Sequence, residues 1–124
     1  MRKIILILMG MFFAANVFAA ELYDCTAPTG WDNMKGQINK TGTFSGYNFI
    51  ISGDKVIVEF GGESLDYPVR LLRNSAERID IIGIAKFSTE LFTIDKKENN
   101  LYYVKNGIIK NGYSMMMKAK CKKK

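Results

Sequence analysis

Residues 47–60 read YNFIISGDKVIVEF, two runs rich in β-branched and aromatic residues on either side of Gly53-Asp54. Such runs favour β-strands, and a Gly-Asp pair suits a two-residue turn whose first residue has positive φ. In the second run Val56 and Val58 lie on one face, the alternation typical of a strand with one buried side. This stretch therefore predicts an antiparallel hairpin.

Further hairpins are predicted towards the C-terminus. Residues 92–95 and 101–104 are strand-like runs that flank the charged segment 96–100. Asn106-Gly107 then predicts another tight turn, which would lead into Ile108-Ile109. Because each connection joins strands that are neighbours in sequence, the pattern indicates a meander.

The last predicted strand shows the clearest alternation of apolar and polar residues. Its second face carries Met116 and two lysines, which we expect to face solvent. The first face, which we expect to face the core, carries Tyr113, Met115, Met117, Ala119 and Cys121.

Residues 65–84 fit two interpretations. The apolar positions fit a helix that begins near Pro68, and they also fit two strands with a turn at Asn74-Ser75. Residues 78–84 are rich in isoleucine, which has poor helix propensity and good strand propensity, so we favour two strands. The whole chain then contains about eight strands, which predicts an all-β fold: a small antiparallel β-barrel, meander-like, or a sandwich of two sheets.

The N-terminus has the layout of a secretory signal peptide. Arg2 and Lys3 precede an apolar run that is too short to span a bilayer with ease, and Val17-Phe18-Ala19 resembles a cleavage site. We predict a signal peptide over residues 1–19 and a single β domain over residues 20–124, with cleavage after Ala20 and an uncleaved anchor as the alternatives. The expected location is the periplasm or the extracellular space.

Export places the two cysteines in an oxidising compartment. Cys25 and Cys121 are therefore predicted to form one disulfide that encloses nearly the whole domain, with free thiols as the alternative. Such a bond requires the first and last strands to be neighbours. We expect this pairing to close a barrel and to remove both open sheet edges.

The composition excludes several chemistries. The chain has 124 residues and no histidine, so imidazole-based catalysis and ligation are excluded. Glu59, Glu63 and Asp66 are near each other in sequence, but they are better explained as a solvated surface than as a hydrolytic pair. We therefore predict no enzymatic activity, no metal and no cofactor.

Two groups of residues are candidate binding residues. Thr26–Gly42 is the longest stretch without a strand pattern, and it holds Lys35 and Trp31, the only tryptophan, either as a binding anchor or as a plug over one end of the barrel. Tyr102 and Tyr103 are candidates for a ligand surface or cavity.

A cluster of lysines ends the chain. Loss of a leader with Arg2 and Lys3 leaves 16 basic against 12 acidic residues, so the net charge falls from +6 to +4. The cluster predicts attraction to an anionic partner, or else protection of an exposed sheet edge. Its members are Lys118, Lys120, Lys122, Lys123 and Lys124.

These observations lead to one main functional hypothesis and two alternatives. The main one is an exported, non-enzymatic β-domain that binds an unknown protein or an anionic envelope component, with no nucleic acid expected and no transmembrane span in the mature form. The alternatives are a lipocalin-like carrier of a small apolar ligand and a periplasmic inhibitor of a hydrolase. In broad layout the chain resembles small exported bacterial β-barrel proteins with a disulfide, a group that includes periplasmic lysozyme inhibitors. A net positive charge argues against the inhibitor, because typical lysozymes are cationic too.

Overall fold

The computed structural model describes residues 20–34, 36–40, 45–107 and 112–124. Over these ranges all regular elements are β-strands, which confirms the all-β class. The signal-peptide prediction (residues 1–19) and Lys35 lie outside the described residues. Among the residues that are described, no helix has the length and hydropathy needed to span a bilayer. The eleven strands of the described ranges are β1 (Glu21–Cys25), β2 (Thr29–Asp32), β3 (Gly36–Ile38), β4 (Tyr47–Ser52), β5 (Lys55–Phe60), β6 (Glu63–Ser64), β7 (Val69–Asn74), β8 (Arg78–Ile84), β9 (Ser88–Asp95), β10 (Asn100–Gly107) and β11 (Ser114–Lys123).

The strands form one antiparallel sheet that curls into a half-barrel. Its order is β6-β5-β4-β1-β11-β10-β9-β8-β7, and the short strand β2 pairs with β11 on the same side as β1, with β3 beyond it. Eight of these strands have five or more residues, which matches the predicted number. The three shorter ones, β2, β3 and β6, were not predicted.

The hairpin at residues 47–60 forms as predicted. Strands β4 and β5 pair from Tyr47–Phe60 to Ser52–Lys55, and the turn between them begins at Gly53 with φ of 63°. An ordinary residue adopts that conformation only with strain, whereas glycine adopts it freely.

The ambiguous middle of the chain forms two strands rather than a helix. Strands β7 and β8 pair with a bulge near Leu71, and Ile79 and Ile81 of β8 are fully buried. Alternation of buried isoleucines across a strand favours the sheet over the helical interpretation.

The predicted turn at Asn106-Gly107 is wrong. Both residues continue β10, where Asn106 pairs with Thr89 on one side and Ser114 on the other. The Gly107 amide donates to the Tyr113 carbonyl at 2.7 Å, so the connection to β11 is longer than a two-residue turn. The predicted partner strand, Ile108-Ile109, lies outside the described residues. The pairing of β10 with β9 and β11 therefore outweighs the local preference of Asn-Gly for a turn.

The core lies on the concave face of the curl and is built largely of aromatic rings. The Phe92 ring lies 5.5 Å from Phe49, 5.3 Å from Tyr47 and 5.0 Å from Tyr103, measured between ring centroids. Ile51, Ile79, Ile94 and Leu101 fill the spaces around these rings.

The disulfide joins Cys25 of β1 to Cys121 of β11, as predicted. The two residues are direct cross-strand partners. The expectation that this contact removes the sheet edges is wrong, because β1 and β11 meet in the middle of the sheet order. The outer ends of that order are β6 with β5 and, at the other end, β7.

Candidate functional site

Three large apolar side chains are exposed together on the convex face of the sheet. Trp31 of β2 is 62% exposed, Met116 of β11 is 63% exposed and Tyr102 of β10 is 40% exposed. Trp31 and Met116 are direct cross-strand partners, and Tyr102 lies on the next strand. We refer to these three residues as the aromatic patch.

Trp31 reaches this surface because the segment Thr26–Gly42 is not strand-free, contrary to our prediction. It contains β2 and β3, which pair with each other and extend the sheet from β11. Trp31 therefore lies on the convex face of a strand and does not plug an end of a barrel.

Glycines set the position of the Trp31 strand. A Cβ built on Gly30 would overlap the Met116 carbonyl oxygen and lie 2.7 Å from the Met117 Cα, so only glycine allows β2 to approach β11 this closely. A Cβ built on Gly36 would lie 3.8 Å from the Trp31 ring, which shows that the ring lies beside the β3 backbone. One side of the indole is thus supported while the residue stays largely exposed.

Asn33 fixes the end of β2 against the start of β11. Its side-chain amide donates to the Gly112 carbonyl at 2.8 Å, and its side-chain oxygen accepts a hydrogen bond from the Ser114 amide at 3.0 Å. Sequence reasoning missed both Asn33 and Gly30, because their roles depend on the β2–β11 register.

A shallow depression of about 330 Å³ lies within the aromatic patch. Besides the three patch residues it is lined by Thr29, Gln37 and Lys118. The Lys118 ammonium lies 5.6 Å from the centroid of the Tyr102 ring, a cation–π arrangement. The depression therefore combines an exposed indole, an amide, a hydroxyl and a cation.

C-terminal to Met116, the convex face of β11 carries three lysines. Lys118, Lys120 and Lys122 are exposed, whereas Ala119, between the first two, is buried. We refer to these three residues as the lysine stripe. It does not protect an edge, as one interpretation held, because β11 is a central strand.

The stripe lysines form no ion pair with an acidic side chain among the described residues. By contrast, the ammonium of Lys124 lies 3.0 Å from the Asp24 carboxylate, and that of Lys123 lies 3.9 Å from Glu21. The predicted basic cluster thus splits into three unpaired cations on one face and two that belong to local ion pairs.

Tyr103 points the opposite way from Tyr102 and is 2% exposed. Its ring belongs to the core, so the structure separates two residues that the sequence placed in one candidate site. This follows from the alternation of side chains along a strand.

A buried carboxylate lies near Tyr103. Glu90 is 4% exposed and accepts a hydrogen bond from the Tyr67 hydroxyl at 2.6 Å, with the Lys105 ammonium 3.9 Å away. Burial, together with the nearby Glu90 charge, raises the pKa of Tyr47 to about 12. Burial also raises the pKa of Tyr67 and Tyr103, and Glu90 adds to both shifts. The phenols therefore stay neutral and serve as structural donors.

Comparison of the chain with protein-family models, with curated proteins and with solved structures finds no match.

Proposed function

We propose that the protein is an exported, non-enzymatic binding domain that captures a macromolecule or an envelope component on its aromatic patch. The observation that carries the proposal is the exposure of Trp31, Met116 and Tyr102 side by side on neighbouring strands of one sheet. Trp, Tyr and Met are enriched at interfaces, and a tryptophan is among the commonest residues to carry most of the binding energy.

The chemistry of the chain supports a binding role. The sequence has no histidine, and its two cysteines are both consumed by the disulfide, which removes the commonest bases and nucleophiles. The disulfide and the leader-like N-terminus support export, because such bonds persist in oxidising compartments.

The convex face fits this role better than the concave one. A lipocalin-like carrier would hold its ligand inside the curl, where the rings of Phe49, Phe92 and Tyr103 pack against one another. We therefore favour a surface ligand over an enclosed one.

Trp31→Ala tests the proposal. The protein is expressed as the full chain, purified after export, immobilised and exposed to envelope extract. We expect the variant to bind its main captured component at least about tenfold more weakly, a loss of ~1.4 kcal/mol or more. Its free energy of unfolding should stay within about 0.5 kcal/mol of the parent, because Trp31 is a surface residue.

Phe87→Ala provides the matched control. Phe87 is 51% exposed but lies outside the patch, so its removal should leave capture unchanged. Equal capture by the parent and the Trp31 variant would overturn the proposed function. A large stability loss for Trp31→Ala would instead show that the ring is part of the core.

A further inference from the structure

We infer that the ligand of the aromatic patch is an anionic polysaccharide, which would stack a sugar ring on Trp31 and place its acidic groups along the lysine stripe. This inference rests on the proposed function, since it names the ligand of the same site. It is carried by the arrangement of the patch and the stripe along a single strand.

The patch and the stripe form one continuous track. Met116, Lys118, Lys120 and Lys122 are alternate residues of β11, and alternate residues of a strand are about 6.8 Å apart. The track from Met116 to Lys122 is therefore about 20 Å long. That length exceeds a single small molecule and suits several units of an extended polymer.

The charge of the track selects an anion. Three cations project from one face without acidic partners among the described residues, and the Asp24 carboxylate next to Lys122 is engaged by Lys124 at 3.0 Å. Unpaired charges of one sign in a row attract a ligand that carries repeated charges of the other sign.

The aromatic end favours a sugar over a nucleobase. Proteins that bind single-stranded nucleic acid stack successive bases on successive aromatic rings. Here the Lys118 ammonium lies over the Tyr102 ring, which leaves Trp31 as the open stacking surface of the patch. The Gln37 amide and the Thr29 hydroxyl line the same depression, and they can bond with sugar hydroxyls.

The shape of the site favours a polymer chain over a lipid bilayer. Trp31, Met116 and Tyr102 line a depression, and hydrogen-bonding side chains lie among them. Insertion into a membrane interface needs apolar side chains that protrude, with the polar groups kept to the opposite face.

Binding to defined polymers tests the inference. The probes are polygalacturonate and dextran sulfate as anionic polysaccharides, neutral dextran, oligodeoxythymidylate, and vesicles of phosphatidylglycerol. We expect the protein to bind at least one of the two anionic polysaccharides. That binding should be about tenfold or more tighter than binding to neutral dextran, to the oligonucleotide or to the vesicles. Binding should weaken as salt rises, because neutralised charges release counterions.

A matched pair of double variants separates the stripe from overall charge. Lys120→Gln/Lys122→Gln should weaken polysaccharide binding at least about tenfold and flatten its salt dependence. Lys55→Gln/Lys86→Gln removes the same charge from exposed lysines outside the track, and it should weaken binding less than about twofold. Both variants should keep the melting temperature of the parent, since all four side chains are exposed.

Three results would overturn the inference: no binding to either anionic polysaccharide, tighter binding to the oligonucleotide or the vesicles, or equal losses in the two double variants. Capture from envelope extract distinguishes this failure from that of the proposed function. If capture is weakened in Trp31→Ala but unchanged in Lys120→Gln/Lys122→Gln, the proposed function stands and the polysaccharide ligand is ruled out. If capture is unchanged in Trp31→Ala, both the proposed function and the polysaccharide ligand are ruled out.

Discussion

Glu90 shows how a single residue can occupy an environment that its side chain does not predict. It shares the concave face of β9 with Phe92 and Ile94, because all three are separated by two positions. A carboxylate costs free energy when buried unless it is paired and hydrogen-bonded, and here Tyr67 and Lys105 supply both. The pattern of β9 could predict the strand, but the partners of Glu90 come from distant parts of the chain.

The tyrosines around Glu90 should make the protein sensitive to alkali. In the unfolded chain they ionise near pH 10, whereas burial raises the folded-state pKa of Tyr47, Tyr67 and Tyr103. Between the unfolded-state and folded-state pKa values, the folded state binds more protons than the unfolded state, so the free energy of unfolding falls as pH rises. The contribution of these tyrosines to the free energy of unfolding is fully present below about pH 10. Above that pH it falls by up to ~1.4 kcal/mol per pH unit for each tyrosine.

Urea unfolding at pH 8, 9, 10 and 11 measures this effect. Tyr67→Phe is the internal comparison, because it removes one titrating group and keeps the ring. We expect a shallower fall in its stability above pH 10 than in the parent, together with a loss of about 1–3 kcal/mol at pH 8 from the hydrogen bond to Glu90. Parallel curves for the two proteins would show that Tyr67 ionises alike in both states.

At the scale of elements, the longer strands could be predicted and the site strands could not. β4, β5 and β9–β11 carry their own alternation of apolar residues, so local sequence indicates them. β2 and β3 have four and three residues, and they are strands because β2 pairs with β11 and β3 pairs with β2. Trp31 could thus be chosen as a candidate from its residue type, while its partnership with Met116 depends on a register that no local pattern contains.

Gly30→Ala tests how the aromatic patch is held. The added Cβ would overlap the Met116 carbonyl oxygen, so β2 must move away from β11. We expect a loss of about 1–3 kcal/mol from this crowding, and weaker partner capture because Trp31 moves with its strand. Amide hydrogen exchange should speed up in β2 and remain unchanged in β9 and β10.

Gly53→Ala is the control for a generic glycine effect. Nothing lies within 4 Å of the Cβ it would add, so its cost arises from the positive φ alone, about 1–2 kcal/mol. Partner capture should not change. Faster exchange in β2 of the Gly53 variant would show that the patch responds to general destabilisation.

At the scale of the molecule, the first and last strands are joined in the middle of the sheet, whereas the two outer edges of the sheet stay unpaired in the described part of the chain. The disulfide fastens β1 to β11, while β5 and β7, the outermost long strands, face each other across a cleft of about 640 Å³ that is lined in part by Val56, Val69 and Leu71. No ladder joins these two strands within residues 45–107. Sequence could predict the meander but not this gap, because barrel closure depends on the stagger accumulated over all the strands.

The open cleft predicts an alternating pattern of amide protection along both strands that border it. The Leu65 amide donates to the Val58 carbonyl, so the even-numbered residues of β5 direct their backbone groups away from β4. The Val56 amide therefore faces the cleft, whereas the Ile57 amide faces its partner Ile50.

On β7 the same reasoning applies to Arg70 and Leu71. The Ile84 amide donates to the Pro68 carbonyl, which directs the backbone of Arg70 towards Ile82 and that of Leu71 towards the cleft. We expect Val56 and Leu71 to exchange at least about 100-fold faster than Ile57 and Arg70. Similar protection of all four amides in a native-state exchange experiment would contradict the open arrangement, because it would require a β5–β7 ladder that completes the barrel in solution.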